Sequence, residues 1–372
     1  MIYFDNAATS FYKPKQVKKA VQNAIDFYTA NPGRSGHKLA QMVAEEIFNV
    51  REKLKDFFNA TNYELIFTKN CTEALNIAIL GTLKSGDHVI TTTYEHNSVL
   101  RPLEHLKNIG VEVTVLDCNL SDFCYNFEHH LKPNTKLVVT TMVSNVTGEI
   151  CCVDKVSKIC KKHNIKYLID GAQASGHIEI NLEKIDADYF AFAGHKGLLS
   201  LTGVGGLFVK DLKGVNPIIF GGTGTNSINL VQPSDEIEGF ESGTLPSISI
   251  ISLGAGVDFL SKNLKNIIKK EQLLSKYLIN SLKQLEFIKV YSKEDSVNVV
   301  SFNIKDFDSM MVANLLNEKF KICVRSGLQC APLTHKKLKT VETGAIRVSI
   351  DFNNTKEEID YLIYALTKIF NE

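Results

Sequence analysis

The chain has 372 residues, of which 44% are hydrophobic and 22% charged, and its formal net charge is +1. This length allows one large α/β domain and a smaller one, because single hydrophobic cores stop growing at about 250–300 residues. The balanced charge, with no basic stripe between aromatic residues, argues against nucleic-acid binding. No apolar run reaches the about 18 residues that a membrane span needs.

Short β-rich runs alternate with helical patterns along most of the chain, which predicts an α/β fold with a mostly parallel sheet. The predicted strands are 64–68, 88–93, 111–116, 136–143, 166–169, 189–193 and 206–209. The predicted helices are 14–28, 39–58, 72–83, 99–106, 154–162 and 247–286. We therefore expect a sheet of seven strands with helices between them.

The pattern changes after residue 286. Strands are predicted at 287–302, 321–325 and 345–349, and helices at 309–318 and 355–370. This pattern is typical of a smaller α+β domain. We predict a large domain at 14–255 and a small domain at 256–372, with residues 1–13 packing against the small one. The N-terminal MIYFDNAATS lacks the charged and apolar regions of a secretory signal, so a cytoplasmic location is expected.

Eight cysteines are scattered along the chain. They form no C-x-x-C pair and no His/Cys group with zinc spacing, so no metal site is predicted. The adjacent Cys151 and Cys152 could be redox-active, but burial at the edge of an element is the preferred interpretation.

Polar side chains stand just beyond several predicted strands, where open parallel sheets bind their ligands. They are His96, Asn145, Asp170, Gln173, His195 and Lys196. A buried lysine can form a Schiff base, and an aspartate can hold a pyridinium nitrogen protonated. The helix that opens at Cys71 and Thr72 offers a phosphate site. Together these groups favour a pyridoxal phosphate enzyme with Lys196 as the anchor.

Each of these residues also has a purely structural interpretation. Asp170 could cap the turn that follows it. Lys196 could be a solvated loop lysine, and His96 and His195 could be satisfied polar residues beside the core. Taken singly, each structural interpretation is preferred. The chemical interpretation depends on their joint order and their common position at strand ends.

At these residues the sequence resembles the class V aminotransferase family of pyridoxal phosphate enzymes with fold type I. Within that family it is similar to the cysteine desulfurase and selenocysteine lyase branch, and its short cysteine loop is similar to group II desulfurases. The resemblance extends from FDNAATS (4–10) to IRVS (346–349). It is carried by GRSGHKLA (33–40), NCTEALN (70–76), EHNS (95–98), SNVTGE (144–149), DGAQ (170–173), GHKG (194–197), GVGGLFV (203–209), ESGTLPS (241–247) and RSGLQCAPL (325–333).

The resemblance implies a role for each residue that would meet the cofactor ring. Lys196 would form the Schiff base, and Asp170 would bind the pyridine nitrogen. Gln173 would bind the phenolic oxygen, and His96 would stack on the ring. Lys196 and His96 would also take part in catalysis.

The resemblance further implies a phosphate site made by Cys71, Thr72 and His195. Thr244 would reach the phosphate of a neighbouring subunit, which implies a homodimer. Ala193 stands where many relatives have Ser or Thr, so one phosphate hydrogen bond should be missing. The stretch LLSLTGVGG after the lysine also departs from the Gly-Pro turn of many relatives.

On the substrate side, the resemblance implies that Asn145 and Arg347 hold the substrate carboxylate, with Arg325 and His37 close to the site. Cys330 would be the nucleophile that takes sulfur from L-cysteine and passes it to an acceptor protein. Gly and Pro flank Cys330 in RSGLQCAP, which predicts a short ordered loop. A packed thiol in the small domain is the alternative.

Three functions remain open on the sequence alone. A cysteine desulfurase would convert L-cysteine to L-alanine and a Cys330 persulfide, supplying sulfur for uses such as iron–sulfur cluster assembly. A selenocysteine lyase would act on L-selenocysteine with the same residues. A class V transaminase or lyase would not need Cys330. A non-catalytic binding protein is disfavoured, because Lys196, Asp170, His96 and Arg347 are all present.

Overall fold

The computed structural model describes residues 1–33, 36–225 and 228–371. Its strands are β1 (Ile2–Tyr3), β2 (Glu64–Thr68), β3 (His88–Thr92), β4 (Glu112–Leu116), β5 (Thr135–Thr141), β6 (Lys166–Asp170), β7 (Tyr189–Ala193), β8 (Gly205–Val209), β9 (Ile288–Val290), β10 (Val299–Ile304), β11 (Ile322–Cys323) and β12 (Ile346–Ser349). Its helices are α1 (Lys15–Phe27), α2 (Lys38–Phe57), α3 (Cys71–Thr82), α4 (Asn97–Lys107), α5 (Phe123–Asn126), α6 (Val153–Lys162), α7 (Leu182–Ile185), α8 (Ser247–Lys283), α9 (Ser309–Phe320), α10 (Pro332–Leu338) and α11 (Lys356–Asn371).

The large sheet has seven strands in the order β2-β8-β7-β6-β5-β3-β4. Strands β3 to β7 pair in parallel, and β8 runs antiparallel to both β2 and β7. Strand β7 reads YFAFA and is buried throughout. A continuous apolar run of this kind is typical of a strand that is covered on both faces. The predicted α/β fold with a mostly parallel sheet is confirmed.

Helices cover the two faces of this sheet and leave its carboxyl edge free for a site. One apolar cluster joins the sheet to α2, α6 and the first half of α8, and the other joins it to α3 and α4. In the ladder between β5 and β6, Thr141 pairs with Asp170 at the carboxyl end of both strands. The polar residues that follow these strands therefore meet at one edge.

The C-terminal elements form a second, antiparallel sheet in the order β12-β10-β9. The single strand predicted at 287–302 is wrong, because residues 291–298 interrupt it. There the Ser296 N–H donates to the Lys293 carbonyl in a turn, at 3.1 Å. The N-terminal strand β1 pairs with β11 in parallel, which places Phe4 in the apolar cluster of this sheet.

The helix α8 has 37 residues and connects the two sheets. Its side chains belong to the large cluster up to Ile267 and to the C-terminal cluster from Leu274 onward. This change of packing lies later in the helix than residue 255, and the division into domains at that residue stays a prediction. In the described ranges, no helix is both long and apolar enough to cross a membrane.

Candidate active site

A cavity of about 240 Å³ opens at the carboxyl edge of the large sheet. Its walls include most of the residues predicted for the site: Cys71, Thr72, His96, Asn145, Asp170, Gln173, His195, Lys196, Arg325, Cys330 and Arg347. Surface grooves of about 840 and 820 Å³ are larger but contain none of these residues, whereas a groove of about 450 Å³ shares Thr72, His96 and Cys330 with the cavity. We place the candidate site in the 240 Å³ cavity because its walls carry nucleophilic and titratable side chains such as Lys196, Asp170 and Cys330.

Lys196 lies in the turn after β7 and is half-buried against the cavity. Burial lowers the pKa of its ammonium group, and the carboxylate of Asp170 opposes that change. A lower pKa favours the neutral amine, which is the form that attacks a carbonyl. The interpretation of Lys196 as a solvated loop residue does not fit this position.

Asp170 ends β6 and is almost fully buried. Its Oδ1 accepts the Ala172 N–H at 2.9 Å and lies 3.6 Å from the Cys71 sulfur. Asp170 therefore caps the turn that follows it, as the structural interpretation expected, but this hydrogen bond occupies only Oδ1. The carboxylate still lines the cavity, where it can accept a hydrogen bond from a pyridinium nitrogen.

The first turn of α3 forms one wall of the cavity. Asn70 caps this helix by accepting the Glu73 N–H at 3.0 Å. The N–H groups of Cys71 and Thr72 have no partner within the helix, because the first turn of any helix leaves such groups free. In β8, a Cβ on Gly205 would lie 2.9 Å from the Cys71 nitrogen, so only glycine lets the sheet approach the helix this closely.

A hydrogen-bonded chain joins the phosphate side of the cavity to His96. Thr72 Oγ1 lies 2.7 Å from Ser98 Oγ, which lies 2.9 Å from His96 Nδ1. The Ser98 N–H also donates to His96 Nδ1, at 3.1 Å. Burial lowers the pKa of His96, against the opposing effect of Asp170. His96 is thus a neutral ring with a fixed orientation, suited to stacking.

Among the cavity residues that follow β6 and β7, two buried polar atoms have no partner in the described part of the chain: Gln173 Oε1 and His195 Nδ1. Gln173 is held by donating from Nε2 to the Ala7 carbonyl at 2.9 Å. Burial and the nearby Lys196 lower the pKa of His195 to about 4, so it is neutral. Buried polar atoms are nearly always satisfied, so these two indicate a polar ligand. Both residues fit a cofactor with a phenolic oxygen and a phosphate.

Arg347 is buried on β12 and faces the cavity opposite the sheet. Its Nη2 bonds the Asp5 carboxylate at 3.0 Å, and its Nη1 donates to the Asn145 carbonyl at 3.1 Å. Its Nε is buried and has no partner in the described part of the chain. Arg325 is joined to Arg347 by two backbone hydrogen bonds. The arginine is therefore rigidly held, as a carboxylate anchor should be.

Cys330 lies on a short ordered loop directly before α10. Of the eight cysteines, all of them within the described residues, it alone is exposed. Gln329 and Cys330 both have left-handed backbone conformations, with φ of 41° and 57°. Such non-glycine residues cost about 1–3 kcal/mol each and are concentrated at functional sites. The Asn97 N–H donates to the Cys330 carbonyl at 2.7 Å, which holds the loop against α4.

Two predicted site residues do not line the cavity. Thr244 is exposed before α8, and His37 is exposed at the start of α2, where its Nδ1 accepts the Ala40 N–H at 3.2 Å. The role given to Thr244 requires a second chain, so it stays a prediction. Arg34 and Ser35 of the GRSGHKLA motif lie outside the described residues.

Sequence reasoning did not single out Asp5, Ser98 or Gln329. Asp5 and Ser98 belong to the quoted strings FDNAATS and EHNS, so the motifs contained them. Gln329 fixes the Cys330 loop by donating to the Ala345 carbonyl at 2.6 Å. No sequence signal could indicate this bond, because Gln329 and Ala345 meet only in the folded chain.

A model of the class V aminotransferase family matches residues 2–362. The chain belongs to this family. Among curated members, the probable cysteine desulfurase of Methanothermobacter thermautotrophicus is 34% identical over 99% of the chain and 94% of that protein. The cysteine desulfurase of Haloferax volcanii is 30% identical over 98% of the chain and 88% of that protein. The apo structure of cysteine desulfurase from Thermococcus onnurineus NA1 is 33% identical, with a TM-score of 0.89, and covers 99% of the chain and 94% of its own.

These comparisons confirm the family and the branch that the sequence motifs predict. Because the similarity covers both sheets, it includes the elements that carry Lys196 and the loop that carries Cys330.

Proposed function

We propose that this class V aminotransferase family member is a pyridoxal phosphate-dependent cysteine desulfurase. One observation carries the proposal: the exposed Cys330 lines the same cavity as Lys196 and Asp170. A transaminase needs the lysine and the aspartate but has no use for a thiol at this place. The names of the full-length relatives support the same activity.

The residues of the cavity fit the cofactor at each of its ends. Lys196 would hold it covalently and Asp170 would pair with its ring nitrogen, while Gln173 would bind its phenolic oxygen. His96 would stack on the ring, and the α3 N-terminus would hold the phosphate with His195. When bound, pyridoxal phosphate supplies an electron sink for the Cα carbanion of an amino acid.

The protein's own side chains perform the remaining tasks. Arg347 and Asn145 would hold the carboxylate of L-cysteine, and the neutral Lys196 amine would take the Cα proton. Cys330, as thiolate, would attack the substrate sulfur, because only the thiolate is nucleophilic. The sulfur–carbon bond breaks, alanine leaves and a persulfide remains on Cys330.

The test is to assay alanine and sulfide formation from L-cysteine in the wild type and in Cys330→Ala. We expect the variant to retain the visible absorbance of the bound cofactor but to lose the L-cysteine activity. The control is Cys323→Ala, a half-buried thiol on β11 that does not line the cavity. Full activity in Cys330→Ala would contradict the proposal and favour a selenocysteine lyase or a transaminase.

We infer that two chains form a homodimer in which Thr244 reaches the neighbouring site. The surface before α8 supports this inference, because Phe220, Ile228 and Leu230 are 76, 96 and 98% exposed there. Large apolar side chains exposed together mark association surfaces. Light scattering should give twice the chain mass, and Leu230→Asp should give monomers. A monomeric wild type would refute the inference.

An acceptor protein for the Cys330 persulfide is proposed on the same grounds, since the thiol is exposed to other molecules. A thiol reductant that removes the persulfide should therefore speed repeated turnover. An unchanged rate would contradict a rate-limiting persulfide. The cytoplasmic location stays a prediction from the sequence.

A further inference from the structure

A second group of thiols lies away from the Cys330 loop, around the start of α6. Cys151 and Cys152 come directly before this helix, and Cys118 and Cys124 lie between β4 and the end of α5. None of the four lines the catalytic cavity. In the described part of the chain, no group of three or more His, Cys, Asp or Glu residues could hold a metal ion.

Cys152 is the centre of this group. It is half-buried at the N-cap position of α6, a helix of ten residues. Its sulfur accepts the Cys124 N–H at 3.2 Å. The Cys151 thiol donates to Thr140 Oγ1 at 3.7 Å, and the Cys124 thiol donates to the Ser121 carbonyl at 3.9 Å. As a thiol, Cys152 can itself donate to the Leu120 carbonyl at 3.5 Å.

The groups around Cys152 affect its ionisation. The adjacent Cys151 thiol lowers the pKa of Cys152, burial opposes this effect, and the Cys124 thiol and N–H add to it. A helix N-terminus acts in the same direction on a thiol. By contrast, burial raises the pKa of Cys160 further along the same helix. Cys152 is therefore the member of this region suited to form a thiolate.

Cys124 is the thiol residue whose backbone contacts the Cys152 sulfur. A disulfide needs Cα atoms about 4.4–6.8 Å apart, whereas adjacent residues are about 3.8 Å apart. That geometry disfavours Cys151. The Cys124 N–H contacts the Cys152 sulfur at 3.2 Å, which places the Cys124 backbone beside it. Ser121 already bonds Glu149 through its Oγ at 3.3 Å, so the two segments are held together.

We propose that Cys152 is a peroxide-sensitive thiol that forms a disulfide with Cys124. The Cys152 thiolate attacks hydrogen peroxide, the O–O bond breaks, and sulfenic acid and hydroxide form. The Cys124 thiol then attacks the sulfenic sulfur, a disulfide forms, and the hydroxyl leaves as water with the thiol proton. The two sulfurs together lose two electrons, and these reduce one molecule of peroxide.

This bond would fasten the segment after β4 to the end of the loop that carries Asn145. That loop is closed by the bridge between Val143 and Ile150, and the Cys151 N–H donates to the Met142 carbonyl at 2.9 Å. The modification does not depend on the proposed desulfurase activity, because none of its atoms belongs to the cavity residues.

The test uses the Cys330→Ala protein, which lacks the exposed thiol, treated with one equivalent of hydrogen peroxide. We expect the loss of two thiols per chain, recovered with dithiothreitol. Peptide mapping without reduction should give one linked pair, Cys124 with Cys152. Cys118→Ser in the same background should still form this pair, and Cys152→Ser should keep all its thiols.

Three results would overturn the proposal, and each would be observed on the folded Cys330→Ala protein. The first is an unchanged thiol count after peroxide. The second is a disulfide that joins Cys152 to Cys118 or Cys151 in place of Cys124. The third is oxidation of Cys152 to sulfinic acid with no linked peptide, which would show that no resolving thiol is in reach.

Discussion

The buried ion pair behind the Lys196 turn gives a sharp prediction about stability. His177 Nδ1 lies 2.9 Å from Glu271 Oε2, and the two side chains are 6 and 2% exposed. A Cβ on Gly197, the residue after Lys196, would lie 2.7 Å from His177 Nε2. Glu271 lies on α8, so the pair joins that helix to the turn that carries the lysine.

Glu271→Gln keeps the shape of the side chain and removes its charge. Removing one partner of a buried ion pair typically costs about 3–5 kcal/mol, because the other charge is left uncompensated. Glutamine can still accept a hydrogen bond from His177 through its Oε1, so we expect a loss near the lower end, about 3 kcal/mol. The visible absorbance of the bound cofactor should shift as well, because the ion pair joins α8 to the turn that carries Lys196.

The pH dependence of this loss has a definite sign. Burial opposes the charging of His177, but the Glu271 carboxylate outweighs it and the pKa of His177 is raised. Burial also raises the pKa of Glu271. A group whose pKa is higher in the folded than in the unfolded protein stabilises the fold fully at a pH below its pKa in the unfolded state. This stabilisation is lost as the pH rises through its pKa in the folded state. The difference between wild type and Glu271→Gln should therefore be larger at pH 6 than at pH 8.5.

The assay is urea unfolding of the holoenzyme at both pH values, followed by circular dichroism. Asp360→Asn is the control, because it breaks the exposed Lys356–Asp360 pair and should change stability far less. A loss below about 1 kcal/mol for Glu271→Gln would refute the reasoning from buried charge. A stability difference between wild type and Glu271→Gln that grows with pH would refute the raised pKa of His177.

Three further predictions follow from single contacts. Burial raises the pKa of Glu95 to about 8, so the stability of the wild type relative to Glu95→Gln should fall as the pH rises from 4.5 through 8. A difference in unfolding midpoints that stays constant over this pH range would contradict the prediction. Gly176→Ala should give little soluble folded protein, because φ is +85° and a Cβ would lie 2.2 Å from the Gly197 carbonyl; wild-type yield and melting temperature would exclude the clash. Arg347→Lys should raise the KM for L-cysteine about tenfold or more, since a charge-assisted hydrogen bond is worth about 1.5–3 kcal/mol. An unchanged KM would remove Arg347 from the carboxylate site.

The large sheet was readily predicted because its strands are short apolar runs between helical patterns. Strands β2 and β7 have the predicted bounds, and the other five differ by one or two residues at an end. The antiparallel direction of β8 was not predicted. It follows a loop without a crossover helix after Lys196, and hydrophobic periodicity does not report strand direction.

The cavity was predicted to the extent that its residues follow strands or open helices. Lys196 and Asp170 were found in this way, since parallel strands deliver their carboxyl ends to one edge. Arg347 and Cys330 lie in the C-terminal part of the chain, and only the family motifs indicated them. The role predicted for Thr244 cannot be examined in a single chain, because its predicted partner belongs to another copy.

The buried charges could not be predicted, and the reason is physical. Glu95 and Glu271 look like ordinary surface glutamates in the sequence, and most glutamates are solvated. Their burial depends on which elements pack over them: Glu271 lies on α8, and its side chain is buried where that helix meets His177. A buried carboxyl needs partners, and Glu95 receives them from the Thr92 hydroxyl at 2.7 Å and the Thr141 N–H at 3.0 Å. Thr141 pairs with Asp170 in the sheet, so a change at Glu95 should reach the cofactor site through the β5–β6 ladder.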